Sequence, residues 1–329
     1  MEKQYERKPQ QDSLRYNILK YGDILVSEKI KYKIIKEIGT GSYGNVFQIK
    51  HKYTNLAVKI IKNDRNYKKD ALKEIQIIKS LNSPYIVKYL SHFNFKDFLC
   101  ILQKLYHINL YKYTVNELFI KHIDVCTILI NISYGLDYLK SKKIIHRDLK
   151  PENIFFKSDK NLDLVIGDFG LSTSLDILPN EADGVKFNVQ SMWYRAPEIC
   201  LKIRNYNTQL DIWSLGCISY ELYWRTPLFK FNTNIKLFIS HNIKLNYPPI
   251  DFIKNNPQIH TFYDDRFNPN YLIKDNFEKT TFKHKQFVTN HSNNMELIQF
   301  VIKCCSWEME HRYTPKECID YLKLIKYNE

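Results

Sequence analysis

Only nine of the 329 residues are glycine, less than half the roughly 7% of an average protein. A chain this poor in glycine keeps it where backbone geometry or close approach demands it. Long hydrophobic runs are missing too. No stretch approaches 18 consecutive apolar residues, which argues against a membrane-spanning helix. Met1 to Asn17 is polar, with nothing like the apolar core of a secretory signal. We therefore expect a soluble, intracellular protein, cytoplasmic or nuclear, with no membrane partner. The seven cysteines, Cys100, Cys126, Cys200, Cys217, Cys304, Cys305 and Cys318, are odd in number and include no C-x-x-C pair. They lie mostly in apolar segments, so a disulfide framework or zinc site gives way to buried reduced thiols.

What is present suffices for a large fold. An apolar content of 44% is too high for disorder, and the length suits two domains or lobes at roughly 100–200 residues each. The formal charge is +14, from 49 basic and 35 acidic side chains, which taken alone could mark a nucleic-acid partner or an acidic substrate. The chain is also crowded with Ile, Asn, Tyr and Phe, whose codons, like those of lysine, are AT-rich, and its lysines form no long run. Codon bias then accounts for the charge, and no nucleic-acid partner is expected.

Seven glycines fall in clusters or regular segments: Gly39, Gly41 and Gly44; Gly167 and Gly170; Gly135; Gly216. The first cluster follows the strand-like Tyr32 to Ile38 and reads Gly39-Thr40-Gly41-Ser42-Tyr43-Gly44-Asn45-Val46, with a second strand-like segment running to His51. A dinucleotide-binding G-x-G-x-x-G would open a helix instead. In a hairpin, such glycines let backbone N–H groups approach the phosphates of a nucleotide. Leu56 to Ile61 is a further short strand with Lys59 among apolar residues. Fifteen residues on, Glu74 lies in a segment whose Leu72, Ile75, Ile78 and Leu81 recur at helical spacing. An ion pair from Lys59 to Glu74 would hold the ammonium ready to grip phosphates. This loop and spacing resemble the small lobe of a protein kinase.

The resemblance becomes specific at Ile145-His146-Arg147-Asp148-Leu149-Lys150-Pro151-Glu152-Asn153, which matches the kinase catalytic loop without a gap. Asp168-Phe169-Gly170 follows the strand-like Leu162 to Ile166, and then come Ala196-Pro197-Glu198 and Asp211-Ile212-Trp213-Ser214-Leu215-Gly216. The similarity covers about Tyr32 to Ile325. It implies an α+β, two-lobed protein kinase fold, with a small antiparallel-sheet lobe carrying one helix and a large, mainly helical lobe.

It also implies an ATP- and Mg²⁺-dependent Ser/Thr protein kinase. Asp148 would accept the proton of the substrate hydroxyl, and Lys150 would place positive charge on the transferring phosphoryl. Asn153 and Asp168 would ligate the metal. Residues 38–46 (Ile38, Gly39, Thr40, Gly41, Ser42, Tyr43, Gly44, Asn45 and Val46), with Lys59 and Glu74, would hold the phosphates. Val46, Ala57 and Phe155 would sandwich the adenine, with Gln103 at the back of the pocket and the backbone of Lys104 to Tyr106 reading the base. Lys150 and Ser191 favour a Ser/Thr acceptor. Glu198 is expected to pair with Arg312, and Asp211 to accept from the backbone around His146.

Domain boundaries follow. Residues 1–31 read as an N-terminal extension and 32–326 as the kinase domain, with the small lobe at about 32–104 and the large lobe at about 105–326. A polar stretch over 248–294 reads as an insert or long loop. Leu118 to Lys140 predicts one long amphipathic helix with Ile123, Cys126, Ile130 and Tyr134 on its apolar side. Thr314-Pro315-Lys316-Glu317 predicts a capping box opening the last helix.

Trp193-Tyr194-Arg195-Ala196-Pro197-Glu198 is similar to the CMGC group of cyclin-dependent, mitogen-activated, DYRK-type and CLK-type kinases. Asn66 to Asp70 departs from the cyclin-dependent signature, so a regulatory subunit of cyclin type is not supported. Lys186 and Asn188 stand where DYRK-type kinases place tyrosines. Arg147 normally meets an anion from the activation segment; Glu181 or Asp183, or phosphate on Ser172, Thr173 or Ser174, would supply it here.

Overall fold

The computed structural model describes residues 19–41, 44–62, 65–117, 119–176, 189–270, 273 and 294–327. It divides the chain into two compact units, Met1–Asn82 with Val87–Leu105, and Ser83–Ile86 with Tyr106–Glu329.

The first unit is one sheet with a helix. Its strands are β1 (Ile24–Ser27), β2 (Ile30–Gly41), β3 (Gly44–His51), β4 (Thr54–Lys62), β5 (Tyr89–Phe95) and β6 (Phe98–Lys104), in the spatial order β1-β2-β3-β4-β6-β5. Every pairing is antiparallel. Side chains alternate across each strand, and on one face Leu25, Tyr32, Ile34, Phe47, Ile49, Val58, Ile60, Cys100 and Leu102 form a buried core. The helix α1 (Arg65–Ser80) joins a smaller cluster through Ala71 and Ile75, against Ile61, Leu99 and Ile101.

Two details differ from expectation. The segment read as an extension contributes β1, paired to β2 from Ile24↔Lys33 to Ser27↔Ile30. On α1, Leu72 is about half exposed and Ala71 takes the buried position, so the helix is rolled toward Ala71, Glu74, Ile75 and Ile78.

The second unit is mostly helical. Among its described residues are α2 (Leu110–Asn116), α3 (His122–Ser141), α4 (Pro197–Cys200), α5 (Gln209–Trp224), α6 (Asn234–Leu245), α7 (Ile250–Asn255), α8 (Met295–Cys304) and α9 (Pro315–Ile325). The expected long helix starts at His122 rather than Leu118, and Ile123 points outward. Ile250–Asn255 and the 3-10 turn Pro257–Thr261 are helical within the stretch read as a long loop. They bury Phe252, Ile253 and Ile259 in a cluster with Phe238 and Trp307. At the start of α9 the Thr314 hydroxyl accepts from Glu317 N–H and the Glu317 carboxylate accepts from Thr314 N–H, so the capping box is present.

Glycine serves packing more than unusual backbone. Gly22 alone has a positive φ among the described glycines, whereas eleven non-glycine residues do. A Cβ on Gly44 would lie 2.1 Å from the Ile60 carbonyl oxygen, and one on Gly216 would meet Cys305 Sγ at 2.7 Å. Both positions are closed to any larger residue. All seven cysteines are free, and no helix among the described residues is long and apolar enough to cross a membrane.

Candidate active site

In the first unit, β2 and β3 form the glycine-rich hairpin, closing at Gly41↔Gly44. Ser42 and Tyr43 lie outside the described residues. Gly39 is opposite Val46, and Val46 is opposite Lys59 across the next pairing. Strand alternation therefore puts Val46, Ala57 and Lys59 on one face, while Asn45 is buried. A Cβ on Gly39 would meet only Val46 Cβ, at 3.9 Å, so the strand end leaves room there for a ligand.

Lys59 is buried, and its Nζ reaches Glu74 Oε1 at 2.8 Å and Oε2 at 2.9 Å. A lysine mid-strand and a glutamate on α1 are thereby fixed in a forked pair. Gln103 is opposite Ala57 at the end of β6, and Lys104 N–H donates to the Lys88 carbonyl.

In the second unit, β7 (Ile144–Ile145) leads into the catalytic loop, and β8 (Ile154–Phe156) pairs with β9 (Leu164–Ile166). That hairpin aligns Ile154 with Ile166, and Gly167 N–H donates to the Asn153 carbonyl at 2.8 Å. The loops bearing Asn153 and Asp168 thus leave neighbouring strand ends. Phe155 is half-buried on β8, tilted against Tyr106 at 6.5 Å between ring centroids.

The catalytic loop is held by buried hydrogen bonds. Asp211, at the start of α5, accepts from His146 N–H at 2.8 Å and Arg147 N–H at 3.0 Å, as expected. Burial pushes its carboxyl above the usual range, against the pull of His146 and these bonds. Asp148 N–H lies 3.3 Å from His146 Nδ1, so Nδ1 accepts and Nε2 carries the proton toward the Gly167 carbonyl at 2.9 Å.

Four groups converge on the Asp148 carboxylate. Lys150 Nζ donates to Oδ2 at 2.8 Å and Asn153 Nδ2 at 3.1 Å, while Ser191 donates to Oδ1 from its hydroxyl at 2.8 Å and its N–H at 3.0 Å. Lys150 also donates to Ser191 Oγ at 2.8 Å. Burial alone would lower the Lys150 pKa, but the charge of Asp148 and its hydrogen bond raise it above the ordinary lysine value. Asn153 spends its amide nitrogen on Asp148 Oδ2 and the Asp148 carbonyl. That leaves the carboxamide oxygen as the atom available to a cation. No cluster of three or more His, Cys, Asp or Glu able to hold a metal occurs among the described residues. Asp168 and Asn153 offer a carboxylate and a carboxamide oxygen, both hard donors.

Residues that the motifs do not mark complete the arrangement. Gln190 is buried, and its side chain donates to the Leu210 carbonyl and Ser214 Oγ and accepts from Ala196 N–H. Its own carbonyl accepts from Arg195 at 2.9 Å. Arg312 grips Glu198 with both guanidinium nitrogens, at 2.7 and 2.8 Å, as expected.

Arg147 Nε donates to the Leu171 carbonyl at 2.6 Å and its NH1 to the Tyr206 hydroxyl at 3.0 Å. Ser172 and Thr173 are buried, which leaves Ser174 as the reachable acceptor of the three considered; Glu181 and Asp183 lie outside the described residues. Arg147, Asp168 and Gln190 all have left-handed backbone, with φ of 65°, 58° and 60°. Such a conformation costs on the order of 1–3 kcal/mol each, and nothing in residue order announces it.

Comparison with known proteins agrees with this geometry. The family described as "Protein kinase domain" matches residues 32–322. Human "Dual specificity tyrosine-phosphorylation-regulated kinase 4" is 30% identical over 302 residues, covering 88% of this chain and 57% of the relative. Drosophila melanogaster "Dual specificity tyrosine-phosphorylation-regulated kinase 2" is 30% identical over 320 residues, covering 93% and 42%. The "Probable dual specificity protein kinase YAK1 homolog" of Encephalitozoon cuniculi is 36% identical over 228 residues, covering 66% and 54%. The chain spans about half the length, or less, of these relatives. With that match over nearly its whole length, and with the paired Lys59 and Glu74 and the braced Asp148, the chain belongs to the protein kinase domain family.

Proposed function

We propose that the chain transfers the γ-phosphate of ATP to Ser and Thr hydroxyls of protein substrates. The observation that carries this reading is the Asp148 carboxylate, fixed from both sides by Ser191, Lys150 and Asn153. A carboxylate so held can orient an incoming hydroxyl and receive its proton as the oxygen attacks.

Phosphoryl transfer has a loose transition state, so the protein's work is positioning and charge neutralisation. Bound ATP with its Mg²⁺ supplies the phosphoryl group and part of that neutralisation. Asp168 and Asn153 would hold the ion through hard oxygens, and Lys59, aimed by Glu74, would hold phosphate oxygens. Lys150 stays protonated and brings a cation beside the base. Val46 and Ala57, on one face of the first unit's sheet, would meet the adenine ring.

Arg195 is anchored to the Gln190 carbonyl and, at 2.7 Å, to Asn234 Oδ1. Its place in the Trp193 to Glu198 motif supports selection of proline just after the acceptor. The reading is tested with a degenerate peptide library: transfer to Ser/Thr peptides that is lost in Asp148→Asn and Lys59→Met is the expected result. Selection for proline after the acceptor supports the CMGC-like specificity, and selection for basic residues before it contradicts that specificity.

A further inference from the structure

The charge of this chain is not spread as codon bias would spread it. The first unit holds 18 lysines in 101 residues and the second 22 in 228, while acidic residues number 10 and 25. A genome-wide bias acts on both units alike. The first unit nonetheless carries +11 of the +14 net charge, and lysine alone makes the difference.

Strand register collects much of that excess on one face. Opposite the buried core, Lys31 and Lys33 on β2 alternate with Tyr32 and Ile34; Lys33 is directly across from Lys50 on β3, and Lys36 is across from Gln48. Lys52 and Tyr53 follow in the β3–β4 turn, where Tyr53 is 97% exposed. Tyr21 is also exposed, with Lys33 Nζ 5.6 Å from its ring centre.

Like charges directly opposite on neighbouring strands destabilise a sheet, yet none of Lys31, Lys33, Lys36 and Lys50 makes an ion pair among the described residues. The nearby carboxylates are otherwise engaged or peripheral: Asp23 accepts from Lys20 N–H, Glu37 from Thr40 Oγ1, and Glu28 sits in the β1–β2 turn.

We propose that this face of β2 and β3, bordered by the exposed Ile24 and Val26 of β1, binds single-stranded nucleic acid. Alternate lysines on a strand stand about 6.7 Å apart, close to the separation of successive phosphates in an extended strand. The charges are lysines, suited to phosphate as point charges without base readout. Tyr21 and Tyr53 give unpaired bases rings to stack on, the combination that sequence-tolerant single-strand surfaces use. By register this is the same sheet face that carries Val46, Ala57 and Lys59, with the lysines toward the strand ends away from the glycine-rich turn. Oligonucleotide binding is therefore measured without ATP and is read apart from phosphoryl transfer.

The test is fluorescence anisotropy with the full chain and a dye-labelled oligouridylate of about a dozen nucleotides, at about 50 and about 200 mM salt. The expected result is binding that weakens steeply with salt. The variant Lys31→Gln/Lys33→Gln/Lys50→Gln is expected to lose affinity about tenfold or more, and the logarithmic salt slope to flatten by about 2. Lys254→Gln/Lys316→Gln/Lys323→Gln, which removes the same charge from the second unit, is expected to stay within about twofold of the parent. Lys50→Glu is a second variant in which the sheet gains a cross-strand partner for Lys33, so a lower affinity there cannot be assigned to unfolding. Four results would each overturn the proposal: no binding by the parent chain at the lower salt, equal losses in the two triple variants, binding of duplex at least as tight as of single strand, or displacement by poly-L-glutamate as readily as by unlabelled oligouridylate.

Discussion

Ser191 donates its hydroxyl hydrogen to Asp148 Oδ1 at 2.8 Å, and its backbone N–H reaches the same oxygen at 3.0 Å. The loop that precedes Ala196 is thus tied to the proposed base by a side chain and a backbone group together. Ser191→Ala keeps the backbone bond and removes the hydroxyl, which also frees Lys150 from its second partner. We expect kcat to fall about 10- to 100-fold, the effect of a small misplacement of reacting groups, with little change in KM for ATP. Ser191→Thr restores the hydroxyl and should recover most of the loss in a steady-state peptide assay.

Lys59 and Glu74 are both buried. Removing one partner strands a charge, at a cost of about 3–5 kcal/mol, whereas replacing both with apolar residues of similar size is often close to neutral. Glu74→Leu should therefore unfold at clearly lower denaturant than the double variant Lys59→Met/Glu74→Leu. Neither should transfer phosphate, since the ammonium loses its aim in one and is absent in the other.

Arg312 binds Glu198 through two nitrogens with both side chains excluded from solvent. Lysine offers a single point charge and cannot reproduce the fork. Arg312→Lys is expected to lower the unfolding midpoint almost as much as Arg312→Met, measured by thermal denaturation.

His241 on α6 is fully buried, and its ring nitrogens have no hydrogen-bond partner among the described residues. It packs among Phe229, Trp213 and Trp307 at 4.4, 4.8 and 6.2 Å between ring centroids, with Arg312 stacked on Trp213. Burial, aided by the charge of Arg312, holds its pKa well below the usual 6.5. The unfolded chain then binds a proton that the folded chain refuses. Stability is complete above about pH 6.5 and falls below it by as much as about 1.4 kcal/mol per pH unit. His241→Phe should flatten the acid side of a melting-temperature profile.

Arg147 is anchored by the Leu171 carbonyl and the Tyr206 hydroxyl. Protein made in bacteria and shown by intact mass to carry no phosphate should be active in the peptide assay, and Tyr206→Phe should reduce that activity severalfold. Phosphate recovered on Ser172 or Thr173 would contradict the buried positions described for them.

The chemistry was easier to read from residue order than the geometry around it. Asp148, Asn153, Asp168 and Lys59 stood out because phosphoryl transfer needs those groups in a fixed succession. Leu72 misled because a count of apolar residues favours Leu72, Ile75 and Ile78, while the packed side of α1 runs through Ala71 and Glu74, one small and one charged. The start of α3 was hidden because Lys121, its N-cap, makes no side-chain capping bond. β1 is four residues long and declares itself only through its pairing with β2. Ser191 reads locally as a clue to the acceptor, but its bond to Asp148 spans 43 positions, beyond the reach of any local pattern. Gln190 and Tyr206 act across similar gaps.

The left-handed backbone at Arg147, Asp168 and Gln190 sets stability and turnover against each other. Glycine would relieve the conformation at each position, but at Arg147 and Gln190 it would also strip out buried hydrogen bonds worth as much, and at Asp168 it would delete the carboxylate proposed to hold the metal. A library of this chain sorted for heat tolerance alone would therefore enrich glycine at Asp168, the least buried of the three, and return durable, inactive protein, so any improvement has to be sorted for both properties at once.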